Sequence, residues 1–471
     1  MRIKFICLLV SIVTCLSVLS QENKLITNNA KPKIKYIFFM IGDGMSLSQV
    51  EATDLYLKSK SPDSKGLFLK NIPLVAIVST KAYNHPITCS AAAGTALATG
   101  NKTSLGTIGM NFNHTKTFQT IAEYARETGF RVGILTSVYI NHATPAAYYA
   151  KVGGRNDYHE IGMQLVRSKF NYFAGGIIEN SEGDTNVYDY AIKNGYKLIE
   201  TKTDFTSLKP TNQKVIIGST ELNGSENIEN FIDRKIGTIS LADYLKKGID
   251  LLQNDTGFFV MCEGGKIDWA CHANDLATMF GEMKDFDNAI KVAYEFYEMH
   301  HDETLILITG DHETGGLAMG NSFTGYEVNP AIVDSQKVSS EKFAEIEKIM
   351  KKQSKQLTFS VMMDSVNKYY SLGKGITITT YDSIRLEKAF KVSIKTIILS
   401  SDEKKALYGD YEPMAVTCSK MIAEKAGYGW TTFYHTGIPV PLRAIGKGSD
   451  LFVGLTDNTE IAKILFECIR K

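Results

Sequence analysis

Residues 258–272 read FFVMCEGGKIDWACH, and this stretch decides the fold. Its apolar start, Phe258–Cys262, predicts a buried β-strand. Three side chains that can bind a metal follow this strand closely: Glu263, Asp268 and His272. Carboxylates and an imidazole at the end of a buried strand are energetically expensive unless a metal or an opposite charge pairs with them. The stretch therefore predicts a strand that ends at a metal site.

Two further predicted strands end in the same way. Ile34–Ile41 runs into Asp43, and Leu305–Thr309 runs into Asp311 and His312. The carboxyl ends of parallel strands meet at one edge of a sheet, where α/β proteins place their sites. The three strands therefore predict one shared metal site at the carboxyl edge of an α/β sheet.

The remaining chain alternates predicted strands and helices, which is typical of a large, mainly parallel sheet covered by helices on both faces. Between about residues 321 and 410 the alternation stops, and a helical run appears at Glu341–Lys352. We interpret this segment as an insertion, a cap or crown, within a single domain over residues 21–471. The predicted helices are Ser46–Leu57, Ser90–Ala98, Phe118–Thr128, Asp157–Ser168, Leu241–Gln253 and Leu276–Tyr297; the other predicted strands are Leu74–Ser79, Arg131–Val138 and Pro439–Ala444.

The N-terminus predicts a secretory signal peptide over residues 1–20, because Arg2 and Lys4 precede the apolar stretch Phe5–Val18. That stretch is short for a spanning helix, so we expect a secreted or periplasmic protein without a membrane span. Acylation of Cys15 is not expected, since Thr14 fits a lipoprotein signal poorly. The last six residues offer no apolar tail for a glycolipid anchor.

Charge and cysteine content exclude two further classes of protein. The 52 Lys+Arg and 51 Asp+Glu residues leave a net charge of +1, which gives no reason to expect a nucleic acid partner. Five cysteines remain after the predicted signal peptide, and an odd number does not indicate a disulfide framework. A bridge between Cys418 and Cys468 stays open.

Ser90 is a candidate nucleophile. It would begin a helix rich in small residues, and the N-terminus of a helix offers free N–H groups and a positive dipole end to a phosphate. A base or a metal must lower the pKa of a hydroxyl before it attacks well. Ser90 could also serve only as a helix cap, a common role for serine.

Taken together in chain order, these segments resemble the alkaline phosphatase family. Thr88–Ala92 is similar to the family's Thr-Asp-Ser-Ala-Ala element, Asp43 to its first metal aspartate, and His142–Ala146 to its magnesium-site threonine segment. Arg155 follows at the family's spacing for its phosphate-binding arginine. The resemblance covers nearly the whole chain after the signal peptide and is completed by Glu263, Asp268, His272, Asp311, His312 and His435.

The resemblance implies two zinc ions and one magnesium ion as cofactors. It also implies a homodimer that hydrolyses small phosphate monoesters through a phosphoserine intermediate at Ser90, with Arg155 binding the phosphate. By the same resemblance, Asp268, His272 and His435 hold one zinc ion, Asp43, Asp311 and His312 hold the second, and Asp43, Thr144 and Glu263 hold magnesium.

Some positions depart from the family pattern or vary within it. Cys89 stands where an aspartate often orients the arginine, so Arg155 is expected to be more mobile; we interpret Cys89 as a small packed thiol. His142 is expected behind the magnesium ligands, or as a direct ligand if zinc replaced magnesium. Trp269 either walls the pocket, contacting the substrate or Arg155, or simply packs. Glu313 is interpreted as a solvated loop residue.

Two alternative functions stay open at this point. The chain could be a phosphodiesterase or sulfatase of the same superfamily, or a phosphate-binding protein without activity. Arg155, together with Thr144 and Glu263, favours monoesters, because related diesterases usually lack that magnesium site. An intact Ser90 with a complete set of ligands argues against a pure binding role.

Overall fold

The computed structural model describes residues 34–353 and 357–470, so the predicted signal peptide lies outside the described residues. Its centre is a sheet of nine strands in the order β2-β13-β8-β1-β7-β3-β4-β6-β5. The strand β13 runs antiparallel to both of its neighbours, and every other pair in this sheet is parallel. The sheet strands are β1 (Tyr36–Gly42), β2 (Leu74–Val78), β3 (Arg131–Thr136), β4 (Tyr172–Ala174), β5 (Tyr196–Ile199), β6 (Lys214–Ile217), β7 (Phe258–Gly264), β8 (Thr304–Gly310) and β13 (Val440–Gly446).

Four shorter strands form two small antiparallel pairs: β9 (Glu313–Thr314) with β12 (His435–Thr436), and β10 (Ala318–Met319) with β11 (Tyr428–Gly429). The helices before the insertion are α1 (Leu47–Lys58), α2 (Ser90–Thr99), α3 (Ile121–Glu127), α4 (Ala143–Ala146), α5 (Tyr158–Ser168), α6 (Val187–Lys193), α7 (Lys202–Ser207), α8 (Thr220–Asn223), α9 (Leu241–Leu252), α10 (Lys266–His272) and α11 (Leu276–Met299). Those after it begins are α12 (Ser340–Gln353), α13 (Phe359–Tyr370), α14 (Thr380–Ser393), α15 (Ser401–Tyr408), α16 (Pro413–Lys425) and α17 (Asn458–Ile469); short 3₁₀ helices lie at Phe68–Asn71, Phe231–Asp233, Pro330–Ser335 and Ser449–Phe452.

The central strands are buried on both faces, as their unbroken apolar runs predict. All seven residues of β1 are buried. Phe38 and Met40 pack into the hydrophobic cluster on one face, together with the long helix α11. Phe39 and Ile41 point the other way and pack with α2 and α17. The prediction of a mainly parallel sheet with helices on both faces is confirmed.

The segment after β10 builds a third hydrophobic cluster from α12 to α16. The cluster extends from Phe343 to Phe433 and includes Met414 and Met421 of α16, so the helical packing continues past residue 410. We call residues 340–425 the helical segment. The exact limits of an insertion within one domain stay a prediction. Within the described ranges no helix is both long and apolar enough to cross a membrane.

No disulfide joins Cys418 to Cys468 in the described chain. Cys418 is buried in the cluster of the helical segment, whereas Cys468 lies in the cluster that α17 forms with the sheet. Cys418 and Cys468 therefore pack as small apolar side chains in two separate clusters.

A buried carboxyl group lies at the centre of the helical segment. Glu347 of α12 is 0% exposed, and both it and Glu412 contact the hydroxyl of Ser393 on α14. Lys351 Nζ lies 2.9 Å from Glu347 and 3.0 Å from Glu412. Burial, followed by the nearby Glu412, raises the pKa of Glu347 to about 8.

We expect Glu347→Gln to gain stability relative to the wild type as the pH rises. The folded protein keeps the Glu347 proton up to a pH of about 8, whereas the unfolded chain loses it near a pH of roughly 4.3. Between these values the unfolded chain binds fewer protons, so the free energy of unfolding of the wild type falls with rising pH. The glutamine variant lacks this loss, which we expect to be on the order of 1–3 kcal/mol.

Thermal melting of both proteins between pH 5 and 9 measures this effect. The control is Glu345→Gln, which removes a carboxyl group whose side chain is 58% exposed on the same helix. The melting temperature of the control relative to the wild type should not drift with pH. A constant difference between Glu347→Gln and the wild type would contradict the expectation.

Candidate metal centre

Three buried carboxylates meet at the carboxyl edge of the sheet. In the strand register Gly42 lies opposite Gly310, so the next residues, Asp43 and Asp311, leave neighbouring strands side by side. Glu263, the next-to-last residue of β7, lies on the other side of β1. All three carboxylate residues are 0% exposed. The sequence prediction that strand ends converge here is confirmed by this register.

The first group of possible ligands surrounds His312, directly after β8. Its Nε2 atom lies 3.2 Å from Asp311 Oδ2, 3.3 Å from Asp43 Oδ1 and 3.3 Å from Ser90 Oγ. A ring nitrogen carries at most one hydrogen, so it cannot donate to three oxygens at once. This arrangement suits a cation shared by the imidazole and the oxygens. Asp311 is oriented by the backbone N–H of Gly44, which donates to its Oδ1 at 3.1 Å.

The second group contains Asp268, His272 and His435. The Nε2 atoms of the two histidines are 3.0 Å apart, and Asp268 lies 3.3 Å from His272 and 3.5 Å from His435. Their Nδ1 atoms face the backbone carbonyls of Phe433 at 2.6 Å and Thr88 at 2.9 Å. Each Nδ1 therefore carries its hydrogen, and both Nε2 atoms point toward the same space.

The third group lies around Glu263. The hydroxyl of Thr136 donates to Glu263 Oε2, and Thr144 Oγ1 donates to Asp43 Oδ2 at 3.3 Å. His142 offers a further ligand atom within 4.8 Å of atoms of Asp43 and Glu263. Asp43 also belongs to the cluster with Asp311 and His312, so it lies between the two groups. Asp43 therefore lies next to both groups of possible ligands, and its bridging of two metal ions stays a prediction.

Burial and mutual repulsion shift the pKa values of the carboxyl groups in this centre. Burial, followed by the charge of Asp311, raises the pKa of Asp43 well above its usual range. Burial and then Asp268 raise the pKa of Asp311 to about 8, and burial raises that of Glu263 to about 7. For His272, burial lowers the pKa, but Asp268 outweighs it and raises the value to about 9.

The residues present fit divalent metal ions. Among the residues that the structure describes, one oxygen of each of three buried carboxylates has no hydrogen-bond partner: Asp43 Oδ1, Asp311 Oδ2 and Glu263 Oε1. An unpaired buried carboxylate oxygen is costly, whereas a bound cation satisfies it and lowers the pKa of its ligand. The raised pKa of His272 reflects the negative charge of Asp268 beside it. Imidazoles with carboxylates suit zinc, and oxygen ligands suit magnesium.

The position of His435 depends on a short antiparallel ladder. In β12 and β9, His435 pairs with Thr314 and Thr436 pairs with Glu313. The ring of His435 stacks on that of His312, with centroids 3.6 Å apart. The ladder thus brings a residue from beyond the helical segment to the carboxyl edge of the sheet.

The interpretation of Glu313 as a solvated loop residue is wrong. Glu313 is 0% exposed, accepts a hydrogen bond from Gln49 Nε2 at 2.7 Å, and accepts another from the hydroxyl of Thr436. The backbone N–H of Gly316 also donates to it at 3.0 Å. Glu313 therefore connects α1, β12 and the loop that follows β9. Its charged side chain gave no sign of burial, because glutamate is rarely buried without such partners.

Ser90 is the first residue of α2, and its side chain is almost fully buried at 1% exposure. Its hydroxyl points to His312 and does not cap the helix, since the residue at the cap position is Cys89. The thiol of Cys89 accepts a hydrogen bond from the backbone N–H of Gly106 at 3.2 Å. This contact supports the interpretation of Cys89 as a packed thiol.

A cavity of about 560 Å³ opens beside Ser90 and is lined by Arg155, His142 and Trp269. The guanidinium Nη2 of Arg155 lies 3.0 Å from His142 Nε2, so Arg155 is oriented by a histidine. The ring of Trp269 meets that of His142 edge-on at 5.8 Å. Burial, followed by the charge of Arg155, lowers the pKa of His142 to about 3, so its neutral ring accepts this hydrogen bond.

Two threonines that sequence reasoning missed orient the ligands. Thr136, the last residue of β3, donates to Glu263, and Thr314 donates to Asp268 Oδ1 at 2.5 Å. Both lie close to residues that were predicted: Thr136 at the end of a strand and Thr314 three positions after Asp311. For Thr136 the available signal was its position near the end of a predicted strand, since polar side chains there face the site. Thr314 gave no such signal, because it lies beyond the predicted strand Leu305–Thr309.

Comparisons with known proteins agree with this arrangement. A family model described as alkaline phosphatase matches residues 34–170 and 179–470. The chain is 30% identical over 454 residues to alkaline phosphatase 4 of Bacillus subtilis, covering 93% of this chain and 90% of that protein. It is 29% identical to alkaline phosphatase 3 of the same organism, covering 96% and 92%.

Among solved structures, the chain is similar to a cold-active alkaline phosphatase from a psychrophilic Shewanella species. The two share 27% identity with a TM-score of 0.76, covering 93% of this chain and all of that one. The named relatives are phosphomonoester hydrolases. With a family model that spans almost all of the described residues, the chain belongs to the alkaline phosphatase family.

Proposed function

We propose that this protein hydrolyses phosphate monoesters to an alcohol and inorganic phosphate through a phosphoserine intermediate on Ser90. The observation that carries the proposal is the position of the Ser90 hydroxyl. It lies 3.3 Å from His312 Nε2 inside the candidate metal centre and lines the same cavity as Arg155. A hydroxyl, a phosphate-binding guanidinium and a set of cation ligands are the parts that phosphoryl transfer needs.

The proposed ligand sets follow the three groups described above. Two zinc ions would supply positive charge at the attacking and leaving oxygens, and one magnesium ion would add charge beside them. One zinc ion is assigned to Asp268, His272 and His435, the second to Asp43, Asp311 and His312, and magnesium to Asp43, Thr144 and Glu263. His312 also lies close enough to Asp268 and His435 to share a ligand group with them.

The side chains of the protein then have separate tasks. The forked guanidinium of Arg155 binds two non-bridging phosphate oxygens, held in direction by His142. Ser90 begins α2, so the free N–H groups of this helix start would add a positive dipole end beside the anion. Ser90 Oγ forms a bond to phosphorus while the bond from phosphorus to the alcohol oxygen breaks. Water then attacks phosphorus, the bond to Ser90 Oγ breaks, and phosphate leaves.

A substrate comparison tests the proposal. The mature protein, supplied with zinc and magnesium, would be assayed at alkaline pH with 4-nitrophenyl phosphate, bis(4-nitrophenyl) phosphate and 4-nitrophenyl sulfate. We expect kcat/KM for the monoester to exceed the other two by at least about 10³-fold, since the site is matched to one phosphate group. Preference for the diester or the sulfate would overturn the proposal. Phosphate binding without turnover of any ester would indicate a binding protein.

Two implications of the family resemblance stay predictions. Export depends on residues 1–20, which lie outside the described chain, and the N-terminal sequence of the mature protein would test it. Sedimentation of the mature protein would test whether it forms a homodimer.

A further inference from the structure

The cavity at Ser90 is much larger than a phosphate group requires. It extends from the metal centre to the helical segment, where its wall contains Glu341, Ala344, Asp410 and Ala415. A volume of about 560 Å³ lies within the range of pockets that enclose a whole small molecule. The wall opposite the phosphate position is therefore placed to contact the alcohol part of a monoester.

The charges of this wall have one sign. Arg155 is the single lysine or arginine among the lining residues that the structure describes, and it lies at the phosphate end. Asp275, Glu341, Asp410 and Glu412 supply four carboxylates away from Ser90. A group entering this part of the cavity meets negative charge unless those carboxylates are already neutralised.

Two of the four carboxylates are occupied by partners within the protein. Asp275 accepts hydrogen bonds from Thr278, Gln336 and the backbone N–H of Ser340. Glu412 lies 3.0 Å from Lys351 Nζ and also caps α16.

The other two carboxylates keep their charge available. Glu341 accepts one hydrogen bond, from Asn230 Nδ2 at 2.8 Å, and both Glu341 and Asp410 are exposed. Neither forms an ion pair with a lysine or arginine in the part of the chain that the structure describes. These two carboxylates are therefore the ones on this wall that can contact a ligand without first breaking an ion pair.

We propose that Glu341 and Asp410 determine substrate preference, favouring phosphate monoesters whose alcohol part is cationic over those whose alcohol part carries a second negative charge. This inference rests on the proposed function and names its substrate class. Carboxylates along a cleft attract cations and repel anions, and like charges brought together oppose binding. Amino-alcohol phosphates are the favoured class, and phosphorylated hydroxy acids are disfavoured.

The test measures kcat/KM for three monoesters: phosphocholine, glycerol 2-phosphate and 3-phosphoglycerate, with cationic, neutral and anionic alcohol parts. The wild type is compared at low salt with the double variant Glu341→Gln/Asp410→Asn. The control, Glu345→Gln/Asp364→Asn, removes two exposed carboxylates from the same helical segment that do not line this cavity. Partly exposed charge pairs change equilibria by roughly two- to fivefold each.

We expect the double variant to lower the ratio of kcat/KM for phosphocholine to that for 3-phosphoglycerate by about tenfold, with kcat/KM for glycerol 2-phosphate unchanged. The control should keep the wild-type ratio, and 0.5 M NaCl should reduce the wild-type preference because it screens exposed charges. An unchanged ratio in the double variant, with all three esters hydrolysed, overturns this inference and leaves the proposed function intact. An equal loss for all three esters overturns it also, because the residues would then act on the common step. If the wild type hydrolyses none of the three esters, the proposed function itself fails.

Discussion

Ser90→Ala should lower kcat for a phosphate monoester by at least about 10⁴-fold, because it removes the atom that bonds to phosphorus. The side chain is small and its hydroxyl does not cap α2, so the fold should be kept. The melting temperature should therefore stay close to that of the wild type, and Asp43, Asp311 and His312 should still bind metal. Acid quenching with labelled substrate should trap phosphoserine at position 90 in the wild type and none in the variant.

Cys89→Ala is the matched control, since it alters the neighbouring residue, which could itself be a nucleophile on chemical grounds alone. The thiol of Cys89 accepts a hydrogen bond from Gly106, so we expect its loss to change kcat by less than about tenfold. Full activity in Ser90→Ala together with inactivity in Cys89→Ala would reverse the assignment of the nucleophile.

Removal of metal ions should produce the second large effect. Chelation would leave one oxygen of each of Asp43, Asp311 and Glu263 buried without a partner. We expect activity to be lost and the melting temperature to fall by roughly 10 °C or more, because the binding energy of the ions stabilises only the folded state. Scanning fluorimetry and activity after treatment with EDTA, followed by addition of zinc, magnesium or both, measure this effect.

EDTA already saturated with zinc controls for effects of the chelator other than removal of zinc. Elemental analysis of the purified protein gives the number of each ion, which tests the proposed two zinc and one magnesium directly. A melting temperature that does not respond to chelation would contradict the proposed role of these carboxylates, since they would then be tolerated in the core without a cation.

The central strands were predictable because burial on both faces leaves a local signal. The apolar runs of β1, β7 and β8 were predicted to within two residues at their ends. By contrast, β4, β5 and β6 were missed, because three- or four-residue strands are too short to show a pattern. The reversed direction of β13 also has no local signal, since its apolar sequence reads the same whether it pairs parallel or antiparallel.

The site residues likewise fall into those with a local sequence signal and those positioned by contacts between distant segments. The convergence of Asp43, Glu263 and Asp311 followed from their positions at strand ends, before any resemblance was considered. His435 could be placed only by the resemblance, because its position depends on the pairing of β12 with β9, a contact between distant parts of the chain. The wrong interpretation of Glu313 has the same origin: its burial depends on Gln49 and Thr436, which are far from it in sequence.

The placement of β13 has a consequence for how the protein reaches its native state. The last strand of the chain lies inside the sheet, between β8 and β2, where Val440 pairs with Val78. During synthesis β2 therefore emerges long before β13, its partner in the main sheet. Pairings between such distant segments form slowly, and an unpaired strand edge is open to association with other chains in the meantime. A chain that stops just before residue 440 would keep every proposed ligand but would leave β2 without its partner in the main sheet. The protein therefore depends on residues 440–446 to protect a strand that is made much earlier.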